Sequence, residues 1–376
     1  MTTIGGGWRP DAGQELLLAA TVGPADRAAA AFAQWRRTHD IDTLDAGSTR
    51  LLPLLVPRQP ILDADDAPWT VIRGVYRRAF VHGQLVCRRA GDAIARLASA
   101  NIDAMALKGG ALIAYYDGNP ALRPMNDFDV LVRRASAVAA IGTLTRSGWR
   151  AQWPRPERLP EAYHGACFVS PDDLDLDLHW SALPSDEGAF DTELWQASRP
   201  GTIPGIAVRA PCAPDLLAIV CAHAAAWQPV SPVRWVADAI RIVGDDAAAF
   251  DWARVVDAAR AWRVTLQLAD TLDYLAGRWG IAVPPATLAA LRATPVGRID
   301  RQSYAAAATM PGTADYLMRP WRRYRLRARH VPGWRALPGF VRYLEITMGL
   351  RDWRELPREI ALRLRRFRRD RRLGLR

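Results

Sequence analysis

The sequence contains few cysteines, and their spacing forms no known metal or disulfide pattern. The four cysteines among 376 residues are Cys87, Cys167, Cys212 and Cys221, and none belongs to a Cys-x-x-Cys pair. This spacing excludes a Cys-rich zinc site and argues against a disulfide framework. We therefore expect reduced, mostly buried thiols, as in a cytoplasmic protein.

The sequence also lacks long hydrophobic runs. A membrane-spanning helix needs about 20 consecutive apolar residues. The best candidate, residues 216–227, is too short and contains His223. The N-terminus has no basic region followed by an apolar core, so we expect no signal peptide. These absences predict a cytoplasmic protein without a transmembrane segment.

Lysine is almost absent. The chain has 50 Lys and Arg residues together, and the only lysine is Lys108. A lysine kept in so arginine-rich a chain indicates a need for a compact ammonium rather than a planar guanidinium. Beside a glycine-rich turn, such an ammonium acts as a point charge on a phosphate. The alternative is a chance of composition.

The positive charge is concentrated at the C-terminal end. The net charge is +11, whereas residues 319–376 contain 19 Arg and five acids, a charge of +14 that leaves −3 for the rest of the chain. Aromatic side chains alternate with the arginines in this basic tail. Three interpretations stay open: contact with nucleic acid, contact with an anionic membrane, or a solvated helical face.

A glycine pair follows a short apolar segment in the first half of the chain. Residues 104–107 are typical of a buried strand, Gly109 and Gly110 of a turn, and residues 111–116 of the start of a helix. A strand that leads into a helix through glycines presents backbone N–H groups and the positive end of the helix dipole. This arrangement predicts a phosphate site.

Two segments place acidic side chains on one face of a strand. Asp127 and Asp129 alternate with apolar residues, so both carboxylates face the same side. Asp175, Asp177 and His179 alternate with leucines in the same way. Neighbouring carboxylates repel each other unless a cation such as Mg²⁺ lies between them. The plainer interpretation of the second segment is an acidic edge strand that discourages pairing.

The patterns divide the chain into four regions. Residues 1–100 are predicted to be helical, and their longest helical signal, residues 69–100, is interrupted by three glycines. The next three regions are a core at 101–210 with a small mixed sheet, a second helical domain at 211–318, and the basic tail at 319–376. The predicted fold class is α+β.

The combined motifs resemble a family of uncharacterised bacterial nucleotidyltransferases within the polymerase-beta-like superfamily. The matching segments are Leu-Lys-Gly at 107–109, Arg-Pro-x-x-Asp-x-Asp at 123–129 and Asp-Leu-His-Trp at 177–180. The resemblance covers roughly residues 15–280. The superfamily more often has Gly-Ser at the turn, whereas Gly110 stands at the second position here.

The resemblance implies a role for each matching residue. Two Mg²⁺ ions would be held by three catalytic carboxylates, and a nucleoside triphosphate (NTP) by the glycine turn and the cations beside it. Asp175 competes with Asp177 as the third carboxylate, and Arg123 pairs with an acid if it does not reach the triphosphate. We interpret His179 as a structural hydrogen-bonding group and His223 as a core histidine. The implied metal ligands are Asp127, Asp129 and Asp177, and the implied nucleotide-binding residues are Lys108, Gly109, Gly110 and Arg123.

Three functions remain open at the level of the sequence. The first is an enzyme that transfers a nucleoside monophosphate from an NTP to an unknown peptide, small-molecule or RNA acceptor. The second is a non-catalytic binding module of a biosynthetic system that retains the fold. The third is a toxin-like enzyme that modifies tRNA, for which the basic tail would contact RNA. Contact of the tail with an anionic membrane would instead give a peripheral location.

Overall fold

The computed structural model describes residues 7–62, 67–184, 188, 190–226, 228, 231–244, 247–309 and 313–372. The first six residues, part of the segment searched for a signal peptide, and residues 373–376 of the basic tail lie outside the described residues. No described helix is both long and apolar enough to cross a membrane. All four cysteines are free, as expected, and Cys167 alone among them is half-buried.

A seven-stranded mixed sheet forms the centre of the molecule. Its strands are β1 (Ala104–Ala106), β2 (Asp127–Val132), β3 (Arg150–Ala151), β4 (Gly165–Val169), β5 (Asp175–His179), β6 (Arg199–Ile203) and β7 (Ile206–Ala210). They lie in the order β3-β4-β5-β2-β1-β7-β6. The β2–β5 and β1–β7 pairs are parallel and the others antiparallel. The predicted α+β fold class is confirmed.

Helices surround this sheet and continue to Arg372, the last described residue. They are α1 (Ala12–Val22), α2 (Ala25–Thr38), α3 (Ala46–Thr49), α4 (Gln59–Leu62), α5 (Ala67–Ser99), α6 (Lys108–Leu112), α7 (Ala137–Arg146), α8 (Asp191–Ala197), α9 (Ala213–Ala224), α10 (Arg234–Val243), α11 (Trp252–Ala261), α12 (Thr265–Trp279), α13 (Pro285–Ala293), α14 (Arg298–Ala307), α15 (Thr313–Arg327), α16 (Leu337–Met348) and α17 (Leu356–Arg372). Short 3₁₀ segments include Leu52–Arg58, Ile113–Tyr116 and Pro156–Glu161.

Helix α5 is continuous over 33 residues, although the glycines within it argued against one unbroken helix. Two of those glycines permit close packing instead. A Cβ atom at Gly83 would overlap Pro120, and one at Gly91 would overlap the side chain of Ile206. The stability lost through helix propensity is therefore offset by tertiary packing.

The hairpin formed by β6 and β7 was not predicted. Its strands pair antiparallel from Arg199↔Ala210 to Ile203↔Ile206, and Gly205 in the turn has a φ of 78°. A Pro-Gly dipeptide between short apolar segments is a recognised turn signal that the sequence did contain. Strand β7 extends the sheet by pairing with β1.

The basic tail packs on the rest of the molecule. Tyr343, Leu344 and Ile346 of α16 are buried in the same apolar cluster as the sheet. Arg342 forms an ion pair with Glu161 at 2.6 Å. A simple deletion of the tail would therefore expose core surface as well as remove charge.

Candidate active site

The end of β1 places Lys108 beside the second carboxylate of β2. The backbone N–H of Leu107 donates to the carbonyl of Asp129 at 3.0 Å, which aligns the next residue with that side chain. The Nζ atom of Lys108 then lies 2.7 Å from Asp129 Oδ1. Lys108 has a φ of 41°, in the left-handed region that side chains seldom adopt. Such strain persists where the surrounding structure holds it, often at functional sites.

The parallel pairing of β2 with β5 brings four carboxylates together. Asp127 lies opposite Asp175, and Asp129 lies opposite Asp177. Partners in register on adjacent strands point to the same face of a sheet. All four aspartates line one cavity. The same-face arrangement deduced from the alternation is therefore present in the fold, and the acids do not form an edge strand, because β5 lies between β4 and β2.

Among the described residues, Asp129, Asp177 and His179 form one group of possible metal ligands. One ligand atom from each lies within 4.8 Å of the other two. Ligands of one Mg²⁺ are at most about 4.2 Å apart, twice its bond length to oxygen, so this group needs little adjustment to hold an ion. Carboxylate oxygens suit Mg²⁺, and the imidazole nitrogen also suits transition metals. The donor set fits a divalent cation.

Asp129 is the most strongly compensated carboxylate of the site. Its Oδ1 atom accepts from Lys108 and lies 2.9 Å from Nε2 of His179. Burial alone would raise its pKa, but His179 and Lys108 hold the pKa of Asp129 well below its usual range. Asp129 in turn raises the pKa of Lys108 against the effect of burial. Both groups are therefore charged at neutral pH, and the interpretation of His179 as a hydrogen-bonding partner agrees with this contact.

Asp127 and Asp175 lie at the solvent-exposed end of the two strands. Removal from bulk water and the neighbouring Asp129 and Asp177 carboxylates raise the pKa of Asp127. Asp127 is outside the three-residue group described above. The predicted set of three aspartate ligands therefore stays a prediction, as does the preference for Asp177 over Asp175.

The two glycines lie inside the helix rather than before it, and this corrects the predicted turn. Helix α6 begins at Lys108 and continues after five residues as a 3₁₀ segment. Gly109 lines the cavity, whereas Gly110 is buried and a Cβ atom there would overlap the Phe128 ring. The absent side chain of Gly110 thus permits packing against β2. With so short a helix, the helix dipole contributes little to phosphate binding.

Arg123 lies in the loop before β2 and lines the same cavity of about 720 Å³. It is 7% exposed, and its Nε donates to Asp238 Oδ1 at 2.8 Å. The Tyr116 hydroxyl donates to the same oxygen at 2.8 Å. The pairing with an acid that the sequence left open is therefore present, and a phosphate contact by Arg123 stays a prediction.

His223 is not the core residue that its apolar helix suggested. It is exposed to the cavity, and we find no hydrogen bond to it within the described part of the chain. Removal from bulk water by the surrounding protein is the largest cause that lowers the pKa of His223, and the charge of the Lys108 ammonium is the next. Together they lower this pKa to about 4. The prediction was wrong because α9 is buried on its other sides and turns this position toward the cavity.

Sequence reasoning did not assign two further cations of the cavity. Arg234 begins α10 and Arg50 follows α3, and both line the same cavity as the carboxylates. The spacing of Arg234 and Asp238 places them one helical turn apart, a signal that could have joined them to the site. No comparable sequence signal marked Arg50.

The basic tail borders the carboxylate side of the site. Arg323 of α15 donates to the Tyr163 hydroxyl at 3.3 Å. The charges of Arg323 and Arg327 contribute, after burial, to a pKa of His164 well below its usual value. The His164 ring lies 5.6 Å from that of His179, between ring centroids. The tail therefore brings positive charge close to the group that could hold a metal.

Comparison with known proteins gives one family assignment. No curated protein matches the chain. A family model described as "Uncharacterised nucleotidyltransferase" matches residues 46–280, which is more than half of the chain and includes every carboxylate and cation described above except those of the tail. The resemblance inferred from the three motifs is confirmed, and the chain belongs to this family of uncharacterised nucleotidyltransferases.

Proposed function

We propose that this protein is a Mg²⁺-dependent enzyme that transfers a nucleoside monophosphate from an NTP to a hydroxyl group of an acceptor. The observation that carries this proposal is the convergence of Asp129, Asp177 and His179 beside the lone lysine of the chain. The family assignment supports nucleotidyl transfer in general.

Asp127, Asp129 and Asp177 would hold two Mg²⁺ ions. When bound, the ions would supply charge stabilisation at the attacking and leaving oxygens of an in-line displacement. His179 orients Asp129 through its hydrogen bond, as residues behind a metal ligand commonly do.

The proposed transfer needs no reactant besides the NTP and the acceptor. The acceptor oxygen forms a bond to the α-phosphorus, the bond from that phosphorus to the β-phosphate oxygen breaks, and pyrophosphate leaves. The hydroxyl proton goes to a nearby carboxylate, for which Asp177 is our candidate because it is only partly buried and faces the cavity.

Lys108 and the backbone of Gly109 would bind the phosphates. The Lys108 ammonium already neutralises Asp129 and lies at the cavity wall, from which it can also donate to a phosphate oxygen. Gly109 has no side chain between its backbone and the cavity. Arg123, held by Asp238, would add a second cation, and Gly110 would contribute only its backbone N–H.

RNA is the acceptor that one specific observation favours. Arg323 of the tail donates to the Tyr163 hydroxyl, and the His164 ring lies 5.0 Å from the Tyr163 ring and 5.6 Å from the His179 ring, between centroids. A polyanionic acceptor on this surface would bind with strong dependence on salt concentration. Binding to RNA and not to anionic vesicles would support this candidate, and the reverse would support a peripheral membrane location.

The test is transfer of a labelled phosphate in cell extract. The protein is incubated with each NTP, labelled in parallel reactions at the α- or the γ-phosphate. We expect the α-label to appear on an acceptor and the γ-label to leave as pyrophosphate. Transfer of the γ-label would identify a kinase, and the absence of transfer of either label would favour a non-catalytic binding module that retains the fold.

A further inference from the structure

Three arginines line the cavity together with Asp238, and we call this group the arginine wall; the four aspartates of β2 and β5 form the carboxylate wall. Arg50 follows α3, Arg123 precedes β2 and Arg234 begins α10, so three separate segments of the chain converge there. The family model includes all three positions, but its description assigns no role to any residue.

Asp238 supplies negative charge to this wall, and its carboxylate is already paired with Arg123. Asp238 accepts hydrogen bonds from Arg123 and Tyr116, both at Oδ1 and both at 2.8 Å. Arg234 donates to the Pro124 carbonyl, which carries no formal charge. Over the described residues, the Arg50 side chain has neither a hydrogen bond nor an ion pair. Within the described part of the chain, neither Arg50 nor Arg234 forms an ion pair with a carboxylate, although the Asp238 charge attracts Arg234.

The positive charge of these guanidinium groups is unfavourable in the absence of a ligand. Burial, followed by repulsion from Arg123 and then from Arg50, lowers the pKa of Arg234 to about 9, although the Asp238 carboxylate acts in the opposite direction. A bound anion would remove the repulsion and form charge-assisted hydrogen bonds with both guanidinium groups.

The two walls are close enough for one ligand to reach both. Lys108, His223 and Arg123 line the same cavity, and His223 is influenced by the charges of both Lys108 and Arg123. A volume of about 720 Å³ is in the range that holds a whole small-molecule ligand. A ligand with metal-binding phosphate at one end and further negative charge beyond it matches this distribution.

We propose that Arg50 and Arg234 bind the terminal phosphates of the nucleotide, so that the site selects triphosphates over monophosphates. This inference rests on the proposed function, because it takes the carboxylate wall as the place of the α-phosphate. Guanidinium groups suit the role because their planar fork can donate two parallel hydrogen bonds to phosphate oxygens.

The experiment uses inorganic tripolyphosphate as its probe, in calorimetric titrations at fixed Mg²⁺. The decisive variant is Arg50→Gln, since Arg50 is exposed and its loss leaves no hydrogen bond broken. We expect wild-type protein to bind the probe and Arg50→Gln to bind it roughly tenfold more weakly. Arg78→Gln, a variant with the same charge change at an exposed position on α5, is the control and should bind like wild type.

A nucleoside monophosphate is the second ligand, and its affinity should be the same in wild type and Arg50→Gln. Three results would overturn the inference: no binding of tripolyphosphate by wild type, wild-type affinity in Arg50→Gln, or an equal loss for both ligands. The third result would assign Arg50 to the α-phosphate or to the acceptor. If the probe binds as expected but no NTP label is transferred, the proposed catalytic function fails and the polyphosphate subsite stands.

Discussion

The two walls of the cavity differ in how their charges are balanced. On the carboxylate wall, Asp129 is neutralised by Lys108 and hydrogen-bonded to His179. On the arginine wall, Asp238 forms an ion pair with Arg123, and neither Arg50 nor Arg234 has an ion pair with a carboxylate among the described residues. The first wall therefore contains an internal ion pair between Lys108 and Asp129. The second wall carries more positive than negative charge, which a bound anion would offset. A cavity built in this way is suited to a metal-bound polyanion that spans both walls.

The largest effect should come from Asp129→Asn. Loss of a ligand carboxylate should reduce nucleotidyl transfer by on the order of a thousandfold, since metal clamping contributes several kcal/mol to the transition state. The variant should also lose about 3 kcal/mol of stability, because Lys108 and His179 lose a buried charged partner. Pyrophosphate release and urea unfolding measure the two effects.

Asp127→Asn is the matched comparison within the same wall. Asp127 is exposed and repelled by Asp129 and Asp177, so its neutralisation should leave stability unchanged or slightly higher. Transfer should still be lost if Asp127 is a metal ligand. Full activity in Asp127→Asn would restrict the metal site to Asp129, Asp177 and His179.

The next effect concerns Lys108. Loss of one charge-assisted contact to a triphosphate should weaken NTP binding by about 1.5–3 kcal/mol in Lys108→Ala. Lys108→Arg should lose at least half of that binding free energy, because a planar guanidinium does not fit between Asp129 and the phosphates. Both variants keep a Cβ atom, so the left-handed backbone at this position is equally strained in all three proteins.

Calorimetric NTP affinity at fixed Mg²⁺ distinguishes the outcomes. Wild-type affinity in Lys108→Arg would mean that the single lysine is an accident of composition. Asp129 would then require only a positive charge at that place.

A smaller effect is expected on the arginine wall. Asp238→Asn should lower stability by about 2 kcal/mol, because it weakens the buried hydrogen bonds from Arg123 and Tyr116 and leaves the Arg123 charge without a carboxylate. It should not prevent metal binding, which belongs to the other wall. Thermal unfolding and Mn²⁺ titration test these two statements, and a loss of metal binding would show that the walls are not independent.

The smallest effect is the pH dependence of stability due to His223. Its ordinary pKa is 6.5, and folding lowers it to about 4. As the pH falls through this range, the unfolded chain binds the proton before the folded chain does, so stability decreases. His223→Gln removes this contribution, and its unfolding free energy should therefore fall less than that of wild type between pH 6.5 and 4.5. Identical pH profiles would show that His223 is freely solvated at the cavity.

The sequence predicted the carboxylate wall because strands impose a simple geometry. When Asp alternates with apolar residues along a strand, the Asp side chains all lie on one face of the strand. Two such strands pair in a sheet so that their apolar side chains share the other face. The prediction extended to the convergence of Asp127 and Asp129 with one of Asp175 and Asp177, and the register of β2 and β5 pairs Asp127 with Asp175 and Asp129 with Asp177.

The arginine wall could not be predicted in the same way. Arg123 was predicted from its motif, but Arg50 and Arg234 are far from it in the chain, and helix packing decides which other arginines join it at the cavity. His223 was misassigned for the same reason, since an apolar helix can turn one position toward a cleft. The turn predicted at Gly109 and Gly110 was wrong, because both residues lie inside α6. Gly110 packs against Phe128, a long-range contact that no local sequence pattern contains.

The measurement that tests the central claim most directly is the metal dependence of NTP binding. An NTP analogue that cannot be cleaved at the α-phosphate is titrated into wild-type protein with Mg²⁺ and again with excess chelator. We predict micromolar or tighter binding with Mg²⁺ and a loss of at least about a hundredfold without it, since bare carboxylates and a polyphosphate repel each other. Equal affinity in the two titrations would contradict the account, because it would mean that the carboxylate wall takes no part in holding the nucleotide.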